Sequence, residues 1–292
     1  MTRFGVLMFP TEYAVPPPTL AAAAEARGFE SLFFPAHTHI PASRRTPWPG
    51  GAELPKEYSH TYDPFVALTA AAMVTERLKL ATGICLVNQH DPIVMAKQVA
   101  SLDRLSNGRV ILGVGAGWNV EEMAHHGIRY EDRWRSLRER VLAMRRIWTD
   151  EAAVFEGEHV RFEPLWSYPK PQQPGGPPVL IGASSRWTWA RIAEWGDGWM
   201  PILQDERRAN ASGAIDYADG VLRTREAWAK AGREGAPDFT IFGVGPDEHR
   251  VRSLADAGFQ RIVFGLPPAD ADTVLPLLDR YAALAHRLTV GA

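Results

Sequence analysis

The chain is poor in cysteine, in long apolar runs and in excess charge, and each shortage removes a class of function. One cysteine, Cys85, stands among 292 residues, so neither an internal disulfide nor a multi-cysteine metal site can form. Acidic and basic residues number 34 and 32, a net charge of -2, which gives no electrostatic basis for binding nucleic acid or an anionic membrane. No apolar run approaches the roughly 18 residues that would span a bilayer. Residues 1–10 are apolar but lack an A-x-A-like cleavage site and end at Pro10 with Glu12 close behind; they read as a first strand, not a secretion signal. A cytoplasmic protein is expected.

What is present is a repeating pattern. Short β-rich runs occupy residues 3–9, 30–35, 78–84, 109–114, 178–183, 199–202, 239–244 and 261–266. Helical stretches separate them. Asp63-Pro64 and Asp91-Pro92 each open one, with Asp as cap and Pro in the first turn. Met95, Val99 and Leu102 then share one face. Further helices are predicted over 130–148, from near Ser185, from Pro246 and from about Asp270. Eight strands in strict alternation with helices, the strands near-continuously apolar, argue for a parallel sheet. The count of eight favours a closed (β/α)₈ TIM barrel, and the length suits one domain over 1–292 of the typical roughly 250 residues plus insertions. Those insertions are residues 36–62, after strand two, and 150–177, before strand five. Both contain aromatics (Trp48 and Tyr58; Trp166 and Tyr168), unlike disordered segments, and both read as covers for an active site.

In such a barrel, chemistry collects where strands end and βα loops begin. Strand two ends in His37-Thr38-His39, and no later strand end supplies further metal ligands, so no metal is expected. A single histidine there suits acid–base work or hydrogen bonding to a cofactor. His125 and His126 read as solvent-exposed, while His90 lies in the loop after strand three. Gly113, Gly115 and Gly117 form a G-x-G-x-G run, but Trp118 stands where the dinucleotide fingerprint needs its third glycine. The run is either a bare wall for a flat ring or tight strand–helix packing. Gly182-Ala183-Ser184-Ser185 leads into a helix and is either a phosphate site or a plain N-cap.

Taken in order, these strand ends resemble the luciferase-like monooxygenase superfamily, and within it the F420-dependent oxidoreductases. The resemblance runs over residues 3–202. It is carried by Ser31-Leu32-Phe33-Phe34-Pro35-Ala36-His37, Leu80-Ala81-Thr82-Gly83-Ile84, Asp91-Pro92-Ile93-Val94-Met95-Ala96-Lys97-Gln98, Leu112-Gly113-Val114-Gly115-Ala116-Gly117-Trp118, Pro178-Val179-Leu180-Ile181-Gly182 and Gly196-Asp197-Gly198-Trp199. It implies a bacterial-luciferase-like barrel in which His37 faces the reactive centre of the cofactor ring. Thr82, Gly83 and Ile84 would back the ring through a strand bulge with a non-proline cis peptide. Gly115, Ala116, Gly117 and Trp118 would border the ring and its ribityl chain, and Gly182, Ala183, Ser184 and Ser185 would bind the phosphate.

Two positions depart from the family pattern. Ala36 stands where many members carry Glu or Asp, and Trp118 where some F420-dependent members carry Glu. The proposed phosphate site also follows strand five, whereas barrels commonly use the loops after strands seven and eight. The resemblance implies hydride transfer between coenzyme F420 and a small organic substrate. Its alternatives are an FMN-dependent monooxygenase supplied with reduced flavin, and a binding protein without turnover. The implied partners are the substrate, a separate reductase or F420-reducing dehydrogenase, and a second copy in a homodimer.

Overall fold

A computed structural model describes residues 2–51, 53–204 and 213–290. Its strands are β1 (Arg3–Leu7), β2 (Ser31–Phe34), β3 (Lys79–Leu86), β4 (Val110–Gly115), β5 (Ala153–Glu156), β6 (Arg161–Leu165), β7 (Val179–Ile181), β8 (Gly198–Trp199), β9 (Asp238–Val244) and β10 (Arg261–Gly265). Eight of them close into a parallel barrel in the order β1-β10-β9-β8-β7-β4-β3-β2, with Val6 opposite both Leu32 and Phe264 where the ends meet. The chain therefore folds as the closed (β/α)₈ barrel that its strand count favours.

Closure follows from the strand sequences. Residues of alternate parity point in opposite directions, and here both directions are apolar. Leu7, Phe33, Ala81, Ile111, Leu180, Met200, Phe242 and Val263 fill the barrel interior. Their neighbours Val6, Leu32, Leu80, Leu112, Ile181 and Ile262 pack outward in the larger core, which the helices cover. The helices are α1 (Pro17–Ala26), α2 (Glu57–His60), α3 (Pro64–Ala72), α4 (Pro92–Leu105), α5 (Val120–His125), α6 (Arg133–Thr149), α7 (Thr188–Trp195), α8 (Tyr217–Lys230), α9 (Glu248–Asp256) and α10 (Ala271–Val290). Both Asp-Pro signals start helices as read. Asp63 accepts the amides of Phe65 and Val66 at 2.9 and 3.0 Å, and Asp91 accepts those of Ile93 and Val94 at 2.9 Å. None of the described helices is long and apolar enough to cross a membrane.

The amino end of the barrel is closed by charge. Arg261, at the start of β10, donates to both carboxylate oxygens of Glu30 and of Asp238, at 2.9–3.0 Å. Its side chain is 3% exposed. Arg3 reaches the same two carboxylates at 3.6–3.7 Å.

Several boundaries differ from the sequence reading. Residues 130–132 form a 3-10 turn, so α6 begins at Arg133, and the separate helix α5 precedes it. Helix α9 is capped by Asp247, whose side chain accepts the Arg250 amide, so Pro246 lies outside it. β8 ends at Trp199, and Ile202 pairs only as an isolated bridge to Phe242.

The insertion at 150–177 is not an active-site cover. Its hairpin, β5–β6, is tied to α6 through Glu139, which accepts the amides of Glu158, His159 and Val160. Gln173 then bonds Asp103 and the carbonyl of Val110, the first residue of β4. The reason is topological. This segment leaves a helix and leads into a strand, so it runs along the amino ends of the strands, opposite the βα loops.

Candidate active site

At the carboxyl ends of the strands the βα loops enclose a cavity of about 490 Å³. His37, Gly83, Ile84, the run from Gly115 to Trp118 and the run from Gly182 to Ser185 all line it. So do Trp48 and Tyr58 from the 36–62 insertion, which places that segment, unlike the later one, over the site.

Thr82 does not line the cavity. It is buried, and its hydroxyl donates to the Gly113 carbonyl at 2.8 Å. Ala81 points into the barrel, so strand alternation turns Thr82 outward. Its contribution is to hold β3 against β4 just before their pairing breaks. The register between these strands shifts between Thr82 and Cys85, and the Gly83–Ile84 peptide bond within that break is cis.

The three glycines of β4 and its loop have three separate tasks. A Cβ on Gly113 would lie 2.1 Å from Met200 Cε and 2.3 Å from the Thr82 carbonyl, so this glycine serves packing. A Cβ on Gly115 would lie 2.2 Å from Ile84 Cδ1, and one on Gly182 2.9 Å from Ile84 Cγ2. These two glycines let the Ile84 side chain fold back against them. Gly117 has φ +88°, a left-handed turn that a side chain would strain. The packing reading of the G-x-G-x-G run therefore holds at Gly113 and Gly115, against Met200 and Ile84, while Gly117 serves a turn.

His37 is held by a partner that sequence reading missed. Its Nδ1 lies 2.7 Å from Glu122 Oε1, with side chains 6% and 1% exposed. A carboxylate only accepts hydrogen bonds, so Nδ1 carries the proton and Nε2 is the nitrogen left for the cavity. Glu122 is aimed by helix chemistry. Asn119 caps α5 and accepts the Glu122 amide at 3.0 Å. The N-x-x-E spacing is a helix-start signal in which the glutamate ordinarily turns back to the cap; here its carboxylate reaches across to β2 instead. The His37 ring is further enclosed by Tyr58 and Trp118, with centroids 5.3 and 6.2 Å away.

Of the remaining histidines, His125 is exposed as read, while His126 is half-buried. His39 Nε2 and His125 Nδ1 lie 2.8 Å apart, and Thr38 Oγ1 bonds His39 Nδ1 and His126 Nε2 at 3.0 and 2.8 Å. Thr38 also fixes its loop by donating its amide to Gln89. This cluster straps the β2 loop to α5, the helix that carries Glu122. Burial, then the neighbouring His39, lowers the pKa of His126. Burial likewise lowers that of His90, whose Nε2 is buried without a partner among the described residues. No three His, Cys, Asp or Glu side chains among the described residues are grouped to hold a metal.

The serine run differs from its reading. Helix α7 begins at Thr188, so neither serine caps it. Ser185 instead closes a turn, its amide donating to Thr188 Oγ1 and its carbonyl accepting the Thr188 amide, both at 2.9 Å. Ser184 and Ser185 remain exposed on the cavity wall. Arg133 and Trp134, at the start of α6, complete that side, and nothing in the sequence singled them out.

Comparison with known proteins agrees with this architecture. An uncharacterized protein of Mycobacterium tuberculosis, Rv0953c, is 40% identical over 287 residues, covering 96% of this chain and 98% of its own. The F420-dependent glucose-6-phosphate dehydrogenase of Intrasporangium calvum is 31% identical, covering 70% of this chain and 59% of its own. The FMNH(2)-dependent dimethylsulfone monooxygenase of Pseudomonas fluorescens is 34% identical, with coverages of 60% and 45%. The crystal structure of monooxygenase RslO1 from Streptomyces bottropensis shares the fold over the full length of both chains, at TM-score 0.78 and 20% identity. The model of the luciferase-like monooxygenase family matches residues 17–286, and the chain belongs to that family.

Proposed function

We propose that this enzyme is an F420-dependent oxidoreductase that moves a hydride between the deazaflavin and a small organic substrate. The observation that carries the reading is the buried His37–Glu122 pair on the wall of a glycine-lined cavity. Interconverting an alcohol and a carbonyl transfers a hydride and a proton together. A deazaflavin supplies the hydride chemistry when bound. The chain has to supply the proton, and His37 Nε2 is the group placed to accept or return it at the substrate oxygen.

The cavity fits a flat ring bearing a phosphorylated tail. Gly115 and Gly182 let the Ile84 side chain lie against them, where a Cβ would clash, and Ile84 offers an apolar backing. Trp48, Tyr58 and Trp118 exclude water from the His37 side. The serine run and Arg133 offer donors to a phosphate. The same fit admits FMN, and the similarity to an FMNH(2)-dependent monooxygenase supports that second reading. The deazaflavin is preferred on the strand-end pattern of its subgroup and on the acid–base pair. A reductase or F420-reducing dehydrogenase that recharges the cofactor, and a homodimeric assembly, belong to the same proposal.

Titration of the purified protein with F420 and with FMN tests the choice. Tighter F420 binding is expected; tighter FMN binding, with oxygen uptake on adding reduced FMN and substrate, would replace the first reading by the second.

A further inference from the structure

The first turn of α5 is completed by a residue of the 36–62 insertion. Thr46 Oγ1 accepts the backbone amide of Val120, the first residue of that helix, at 3.3 Å. The same hydroxyl donates to Glu121 Oε2 at 2.5 Å, and Arg45 pairs with the other oxygen of that carboxylate at 3.2 Å. The Thr46 hydrogen bond lowers the pKa of Glu121, which keeps the carboxylate charged at neutral pH. A helix start leaves its first amides without partners inside the helix. Here Asn119 takes the Glu122 amide and the insertion takes that of Val120. The other end of α5 is tied to the β2 loop, through His39 to His125 and through Thr38 to His126.

Helix α5 has six residues, too few to hold their shape by their own hydrogen bonds, so its position depends on these ties. It carries Glu122, the partner of His37. Trp48, close behind Thr46 in the chain, lines the cavity and packs edge-on against Tyr58, with centroids 5.8 Å apart. Tyr58 in turn packs on the His37 ring. One short helix thus anchors the cover and aims the imidazole beneath it.

We propose that Thr46 and Glu121 are positioning residues that couple docking of the 36–62 cover to the orientation of His37, a role that rests on the acid–base reading of His37 above. With the cover docked, α5 is capped and Glu122 holds the imidazole. With the cover displaced, the Val120 amide and the Glu121 carboxylate lose Thr46 and Arg45, the first turn frays, and Glu122 no longer fixes the ring. The aligned imidazole exists only in the closed site.

Thr46→Val replaces the hydroxyl by a methyl group, and Thr46→Ser keeps it. Loss of a hydrogen bond to a charged group shifts the ratio of docked to displaced cover by about tenfold or more. Two readouts need neither cofactor nor substrate. Acrylamide quenching of Trp48, taken as the difference between each protein and its Trp48→Phe counterpart, reports the cover. The downfield Nδ1–H resonance of His37, identified by its absence in His37→Ala, reports the contact with Glu122. T46V is expected to raise the first and to weaken the second through exchange with water, and T46S to restore both. Unchanged quenching in T46V overturns the tie, and raised quenching beside an intact His37 resonance overturns the coupling. Where T46V does not fold, E121Q takes its place with the same expectations. If both readouts change while turnover of a converted substrate does not, the coupling stands and the acid–base reading of His37 falls.

Discussion

Glu122 Oε1 lies 2.7 Å from Nδ1 of His37, although 85 positions separate them in the chain. The family pattern would place an acid beside this histidine, at Ala36, or on the β4 loop, at Trp118. Here α5 delivers it from four residues further on. Glu122 thereby orients the imidazole.

Removing either member should therefore impair turnover more than binding. With a substrate that the wild type converts, His37→Ala is expected to lower kcat by about 10²–10⁴-fold, the range for a positioned general acid or base. Glu122→Gln keeps the size but removes the charge, and is expected to lower kcat with little change in KM. Because the two act as one unit, the double variant should be little worse than His37→Ala alone. Steady-state kinetics on the three variants measures this, and additive losses would show that the residues act independently.

Gly115→Ala tests the packing of Ile84 against this glycine. The new Cβ would meet Ile84 Cδ1 at 2.2 Å, and the end of that side chain would have to move into the cavity. Overpacking of this kind costs about 1–3 kcal/mol. Loss of cofactor affinity is expected to accompany a modest fall in Tm. Calorimetric titration beside a melting curve separates the two, and unchanged affinity would remove Gly115 from the site.

Stability should fall in mild acid. The folded-state pKa of His90 and of His126 lies below the ordinary value of 6.5, through burial. The unfolded chain then takes up protons first as pH drops, and proton uptake favours unfolding. This contribution to stability is full above about pH 7 and is lost as pH falls through 6.5 towards the folded values. Glu30 acts in the same direction at lower pH. Burial alone would raise its pKa, but Arg261 outweighs that and lowers it below 4.5. Its stabilisation is present above that value and disappears in stronger acid. Melting curves between pH 7.5 and 5.5 should show a falling Tm, and His90→Gln should flatten the slope.

Arg261→Leu should damage the fold without touching the site. The side chain is 3% exposed and satisfies both Glu30 and Asp238, at the barrel end opposite the cavity. Removing it strands two carboxylates, with Arg3 as their remaining cation. Breaking such a buried pair costs on the order of 3 kcal/mol. Denaturant unfolding measures the loss, with cofactor affinity expected to hold below the new melting point.

Much of this was legible before any coordinates. Eight apolar runs with helical spacers indicated a barrel, because a strand covered on both faces has to be apolar along its length. The Asp-Pro pairs marked α3 and α4, because a cap and a fixed φ act within three residues. The strand ends carried most of the cavity lining, the rest coming from the 36–62 insertion and the start of α6. What failed was long-range or contextual. The direction of Thr82 depended on where a strand broke, and the role of the 150–177 segment on which end of the barrel it crosses. The glycines at 113, 115 and 117 look alike in the chain and differ only in their neighbours, Met200, Ile84 and a turn.

Local chemistry, then, established the alternation of elements, the helix starts and the residue types at each strand end, since propensity and capping act between residues close in the chain. Which side chains meet was settled by the closed barrel, because closure brings the loops after β2, β3, β4 and β7 and the start of α6 around one cavity. The pairing of His37 with Glu122 arises there. It is a contact between a loop and a helix whose separation in sequence carries no record of their distance in space.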